Sequence, residues 1–491
     1  MSVRVRIAPS PTGNLHIGTA RTALVNYLYA RHLDGVFVLR VEDTDQQRSR
    51  DEYTQNILSG LKNLGLTWDE GPEIGGDYGP YAQSERSTIY HEAFATLKAN
   101  QKVYPCFCST EMIQAEREAA EKAGETYVYS GTCRQLSETE IADRQAQGDA
   151  FVYRLRVDTE EITFTDLVRG DVTFNTATLG DFIVARQDEL PLYNLAVVID
   201  DAAMKITHVL RGEDHISNTP KQILLYRALG EQAPTFGHTP MMLAPDRSKL
   251  SKRHGATSVD DYLAQGYLPE ALLNYLALLG WSPADTQEEI FSLDALVKHF
   301  ELKDMSKSGA VFDIEKLNWM NGQWIRRLEV VELWQRIAPL VEQAGFALSS
   351  HDEAWWHQSV ALVQDKLVRL PDYLSQCDFL LADLTYAPEQ VEKAFKMESA
   401  LPVLSALASG LASIDWTPEA IHGVFETLKQ EQPFKMKQIM WPIRAALSGR
   451  TFGADLHQSI FLLGQENVLS RLSQAQNYIN TTVQNKEEQA V

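Results

Sequence analysis

A chain of 491 residues with 44% hydrophobic and 23% charged positions has the composition of an ordinary globular protein and is too long for one core, so two to four packed units are expected. No segment approaches the ~18 uninterrupted apolar residues that a membrane helix needs, which excludes a bilayer-spanning chain. The formal net charge of -21 excludes blanket electrostatic attraction to nucleic acid, so any RNA contact has to use local Lys and Arg strips on an acidic surface.

The first six residues alternate apolar and charged side chains instead of placing an apolar stretch behind a basic one. They do not read as a signal peptide, and a cytoplasmic location with no membrane partner is expected. Val3, Val5 and Ile7 at period two predict a strand, followed by a turn-rich loop over 9–14. Ile17, Ala20, Leu24, Tyr27 and Leu28 then recur at helical spacing, with Asn14 as the expected cap and Gly35 as the stop. The apolar run 36–41 completes a βαβ unit.

Four cysteines, Cys106, Cys108, Cys133 and Cys377, are too few for a disulfide framework. The first three lie in a charged stretch over 105–190 that reads as an insertion and invite a metal reading; Cys377 reads as a core residue. A second apolar run at 193–201 has the same strand-like character as 36–41. It is followed by another short apolar run at 206–210 and a helical stretch at 220–229. Beyond residue 326 the periodicity is mainly helical, for example over 330–341, 355–370, 419–429 and 456–472.

Two short elements carry chemistry. His16 opens the first predicted helix just after a tight loop, where free N–H groups and the helix dipole favour a triphosphate and Gly18 lets a nucleotide approach the backbone. On spacing alone His16 is equally a polar residue in a capped turn. Lys249-Leu250-Ser251-Lys252-Arg253 places three cations in five residues with no acid among them, suited to charge developing on a departing pyrophosphate. At the end of the second α/β half this loop is expected to face the same crevice as His16, because ligands in such folds bind beyond the carboxyl ends of the strands.

These elements resemble the HIGH and KMSKS motifs of class I aminoacyl-tRNA synthetases. The stretches 6–13, 41–45, 79–86, 210–215 and 319–322 resemble the glutamyl-tRNA synthetase branch in order and spacing. The resemblance implies an α/β fold: a Rossmann-like doubly wound parallel sheet with an inserted α+β subdomain, followed by all-α C-terminal helical bundles. Its expected parts are two catalytic halves (1–104 and 191–255), an acceptor-binding insertion (105–190), a helical stem-contact region (256–326) and a helical anticodon-binding region (327–491).

The resemblance also implies ATP with Mg²⁺, L-glutamate and tRNA(Glu) as ligands, tRNA(Gln) as a second candidate, and a monomer. His16, Lys249 and Lys252 are the expected catalytic residues, and they meet ATP together with Gly18, Thr19, Asp214 and Met242. Thr19 stands where the motif usually ends in His. A substrate with two carboxylates calls for two Arg forks. By resemblance Arg6 takes the side-chain carboxylate, Arg211 the α-carboxylate and Glu42 the ammonium, with Ala8, Ser10 and Tyr193 completing the pocket. Taken singly, either Arg is more readily a partner of a local acid such as Asp43. Val197 replaces an Asn frequent in relatives.

Cys106, Cys108, Tyr129 and Cys133 resemble a structural zinc site of some members, although Gln135 stands where His is frequent. Lys366 and Arg369 are expected on the anticodon strip. Glutaminyl-tRNA synthetase is the nearest rival reading, and Arg6 aimed at a second carboxylate favours the acid over its amide.

Overall fold

The computed structural model describes residues 2–45, 48–251, 253 and 255–488, the last seven of these by backbone alone. Residues 2–7 place Val5 and Ile7 in the core, and Arg4–Ile7 forms a strand parallel to Val36–Leu39, with Arg4 opposite Val36 and Ile7 opposite Leu39. The helix Ile17–His32 connects them, as the βαβ pattern predicts.

Its cap is not Asn14. His16 takes that place, its Nδ1 accepting from Gly18 N at 3.0 Å, while Ile17 N donates to Thr257 O at 2.9 Å. With these first-turn donors met by the imidazole and by a segment some 240 residues away, the helix start lies two residues beyond Asn14.

A second parallel pair joins His208–Gly212 to Thr235–Thr239 through the helix Thr219–Leu229, with Arg211 opposite His238. The two pairs adjoin where Thr207 N donates to Arg4 O at 3.0 Å. The run at 193–201 departs from expectation, because it belongs to the helix Tyr193–Ala203. Residues 195–201 of that helix are all buried. A short helix covered on every side loses the 3.6-residue alternation and reads like a buried strand.

Between the two pairs lies the insertion. It holds a three-stranded antiparallel sheet of Val103–Cys106, Val152–Leu155 and Ile183–Ala185, two helices at Thr110–Ala123 and Glu138–Ala146, and the hairpin Glu161–Asp166/Gly170–Asn175. The hairpin reaches back to the scaffold, Leu167 N donating to Phe236 O at 2.9 Å.

The chain divides into two compact units, one of residues 1–264 and 269–317, the other of residues 265–268 and 318–491. The second is helical throughout its long segment, with Trp334 stacked on Trp356 at 4.7 Å between ring centroids. The stretch 456–472 is not one helix: Gly464, at φ +79, separates Leu456–Leu463 from Gln465–Glu488, a backbone state that glycine adopts without strain. Among the described residues no helix is long and apolar enough to cross a membrane.

Candidate active site

An open cleft of about 370 Å³ lies at the carboxyl ends of the strands in the first unit. It is lined by Arg6, Ala8, Ser10, His16, Gly18, Thr19, Glu42, Tyr193, Arg211, Asp214, Met242 and Lys249, the expected nucleotide and glutamate residues apart from Lys252. Lys252 lies outside the described residues. Val197 is buried and does not line the cleft.

Backbone ties His16 to the segment that follows the Lys-rich loop. His16 pairs with Ser258 in an antiparallel bridge, and Val259 N donates to Leu15 O at 2.9 Å. The start of the loop folds on itself, Leu243 pairing with Lys249 and Leu250 N donating to Met242 O. Because Nδ1 of His16 accepts from Gly18 N, the neutral ring carries its proton on Nε2 and can donate there. Lys249 Nζ sits 3.1 Å from Asp214 Oδ2 at the cleft edge. Burial opposes ionisation of Asp214, but Lys249 and His215 outweigh it and hold its pKa below the usual carboxylate range.

The cleft floor is a buried ionic lattice. Arg6 Nε donates to Asp201 at 3.1 Å, Arg40 pairs with Asp201 at 2.7 Å and with Glu42 at 3.2 Å, and Arg86 pairs with Asp200 at 2.6 Å. Asp43 is not the partner of either cleft Arg; it accepts from Ser84. Burial raises the Glu42 carboxyl, with Arg40 and Arg6 acting against the rise.

Arg211 is different. Its Nε lies 3.2 Å from His238 Nε2, its Nη2 lies 2.9 Å from Thr219 Oγ1, and its buried Nη1 has no hydrogen-bond partner. Burial lowers its pKa to about 10, which leaves it cationic at neutral pH.

Sequence reasoning passed over Asp201, His215 and His238. His215 Nδ1 lies 3.1 Å from the Tyr193 hydroxyl, and burial together with Arg211 lowers its pKa to about 4. The adjacent acids Asp200 and Asp201 inside an apolar run are the signal that could have exposed the lattice, because buried charges need partners.

In the insertion Cys106, Cys108 and Cys133 bring their Sγ atoms within 4.8 Å of one another. Tyr129 Oη lies 3.3 Å from Cys106 Sγ and 3.4 Å from Cys108 Sγ. The Cys108 to Cys133 separation of 3.7 Å matches the ~3.8 Å edge of a tetrahedron with Zn–S bonds of ~2.3 Å. Cys377 is fully buried in the second unit. There, Lys366 Nζ donates to Gly453 O at 2.6 Å, and the Arg369 guanidinium lies 6.0 Å from the Tyr267 ring centroid.

Residues 2–319 match the family described as tRNA synthetases class I (E and Q), catalytic domain, and residues 329–476 match an anticodon binding domain. The glutamate–tRNA ligase of Symbiobacterium thermophilum is 44% identical over 96% of this chain and 99% of its own length. That of Desulforamulus reducens is 45% identical over 97% and 100%. A crystal structure of a glutamate tRNA ligase from Elizabethkingia meningosepticum, in complex with its amino acid, superposes with a TM-score of 0.90 at 32% identity, covering 98% of this chain and all of that one. With a catalytic-domain match across two thirds of its length and relatives aligned end to end, the chain belongs to the class I tRNA synthetase family of the E and Q type.

Proposed function

We propose that this chain is a cytoplasmic, monomeric glutamate–tRNA ligase, which activates L-glutamate with ATP and transfers it to the 3′-terminal adenosine of tRNA(Glu). The observation that carries the reading is the opening of His16, Lys249, Arg6 and Arg211 onto one cleft. Glutamate lies on the floor, with its side-chain carboxylate at Arg6, its α-carboxylate at Arg211 and its ammonium at Glu42, walled by Ala8, Ser10 and Tyr193. ATP lies along Gly18, Thr19, Asp214 and Met242.

The α-carboxylate oxygen attacks the α-phosphorus in line, and the bond to the bridging oxygen of pyrophosphate breaks as the new O–P bond forms. His16 donates from Nε2, and Lys249 with Lys252 neutralises charge on the departing pyrophosphate. A ribose hydroxyl of the terminal adenosine then attacks the activated carbonyl carbon, and AMP leaves. When bound, magnesium would supply charge neutralisation on the triphosphate, and the Asp214 carboxylate, held ionised in the cleft, would help to hold it.

His16→Ala is expected to lower turnover in aminoacylation of tRNA(Glu) roughly 10²-fold, the scale of one transition-state donor. A change below about threefold would remove His16 from the chemistry. Activation is expected to need tRNA, so glutamate-dependent pyrophosphate exchange without RNA should be slight.

Cys106, Cys108, Cys133 and Tyr129 fit a structural zinc ion by donor type and spacing. About one equivalent of zinc is expected in protein prepared without chelators, and less than half an equivalent would refute the site. Lys366 and Arg369 are assigned to the anticodon surface, and charging of purified tRNA(Gln) tests whether a second tRNA is accepted.

A further inference from the structure

The first strand of the inserted hairpin ends at Asp166, and this carboxylate reaches the cleft floor through one imidazole. Asp166 Oδ1 accepts from the backbone N–H groups of Val168 at 3.0 Å, Arg169 at 2.9 Å and His238 at 3.2 Å. Its Oδ2 faces His238 Nδ1 at 2.5 Å, with both side chains wholly buried. An oxygen that accepts three N–H bonds belongs to an ionised carboxylate, which cannot donate. The ring proton of His238 therefore sits on Nδ1. Nε2 is left as a lone pair, 3.2 Å from Arg211 Nε and 3.2 Å from Thr219 Oγ1, and Thr219 Oγ1 in turn accepts from Arg211 Nη2 at 2.9 Å. The opposite tautomer, or the imidazolium, would turn an N–H toward the N–H of Arg211.

We propose that Asp166 and His238 are positioning residues for Arg211: the hairpin carboxylate fixes the imidazole tautomer, and the imidazole holds the guanidinium edge-on so that its remaining donors meet the substrate α-carboxylate. The inserted subdomain thereby completes the amino-acid site. Burial lowers the pKa of His238, in keeping with the neutral ring. No acid pairs with Arg211 among the described residues, so the neutral acceptors His238 and Thr219 hold it while leaving its charge for the substrate. The inference rests on the assignment of Arg211 to the α-carboxylate.

Asp166→Asn tests it, because the Asn oxygen still accepts from the three backbone donors while its NH₂ group imposes the wrong tautomer on His238. In aminoacylation of tRNA(Glu), KM for glutamate is expected to rise about tenfold or more, the scale of one lost charge-assisted hydrogen bond, with KM for ATP within about twofold. His238→Gln offers an amide oxygen near the Nε2 position and should keep KM for glutamate within about threefold, whereas His238→Leu should raise it as Asp166→Asn does. In the His238→Gln background Asp166→Asn should add nothing, since no tautomer remains to be set.

Equal rises in both KM values, or equal effects of the Gln and Leu variants, would overturn the proposal. The Gln and Leu pair tests it even should Asp166→Asn not fold. Arg211→Ala separates the two levels. If it raises KM for glutamate while Asp166→Asn leaves it unchanged, the positioning role is wrong and the glutamate site stands. If Arg211→Ala leaves it unchanged, the assignment of Arg211 fails and the positioning role falls with it.

Discussion

Two arginines stand on the floor of one cleft in opposite electrostatic company. Arg6 belongs to a lattice in which Arg6, Arg40 and Arg86 face Glu42, Asp200 and Asp201, so its charge is matched inside the protein. Among the described residues Arg211 hydrogen-bonds only to neutral partners, His238, Thr219 and the His215 carbonyl, and its guanidinium lies over the Phe236 ring. A buried cation without an acid is unstable alone and ready for an anion. The floor is thus short of one negative charge, which the α-carboxylate proposed to lie at Arg211 would supply. In the proposed site Arg6 and Glu42 hold the side-chain carboxylate and the ammonium from a charge-matched lattice, and Arg211 adds the unmatched cation.

The sharpest way to break this contrast is to remove each cation in turn. Arg211→Met is expected to lower kcat/KM for glutamate roughly 10³-fold, within the range for a charge pair losing one partner, while leaving the unfolding midpoint in urea unchanged or higher. Arg6→Met should lower both activity and stability, and a variant pair with the same stability would erase the difference between the two sites. Next in size, Asp201→Asn leaves Arg6 and Arg40 short of an acid and is expected to destabilise the first unit by about 3–5 kcal/mol, read as a lowered urea midpoint.

The smallest effect is a pH dependence. His215 titrates at about 4 in the folded chain against its ordinary 6.5, so between these values the unfolded chain binds more protons. Stability is therefore full above about pH 6.5 and declines as pH falls toward 4. His238 and His208, both lowered chiefly by burial, add to the decline. His215→Gln should flatten the slope of the urea midpoint between pH 6.5 and 4.5, and an unchanged slope would remove His215 from the cationic neighbourhood of Arg211.

The sequence made the cleft legible where local chemistry is compressed into a few residues. His16 next to Gly18, and Lys249 within a basic run, could be read in place, and the strand beginning the chain was visible from period two. What escaped was set by distance along the chain. Arg6 meets Asp201 and Asp166 meets His238 across 195 and 72 positions, and no window of local periodicity contains such a pair. The helix Tyr193–Ala203 resembles a strand in sequence for a related reason: once every face is covered, amphipathic spacing no longer distinguishes helix from strand. Residue preference points to Asn14 as the cap, whereas Thr257 and the His16 ring serve the first turn instead.

The pairing of His16 with Ser258 also constrains the order in which the protein can come into being. At ribosomal speeds of about 5–20 residues per second, roughly 10–50 s elapse between the emergence of these two partners. Throughout that interval the nascent polypeptide has His16 without the segment it pairs with. Closing so long a loop is entropically slow compared with forming the local βαβ unit, so the pairing of His16 with Ser258 forms after it. A fragment truncated before Val259 is expected to remain inert even where its early strands and helix have already formed.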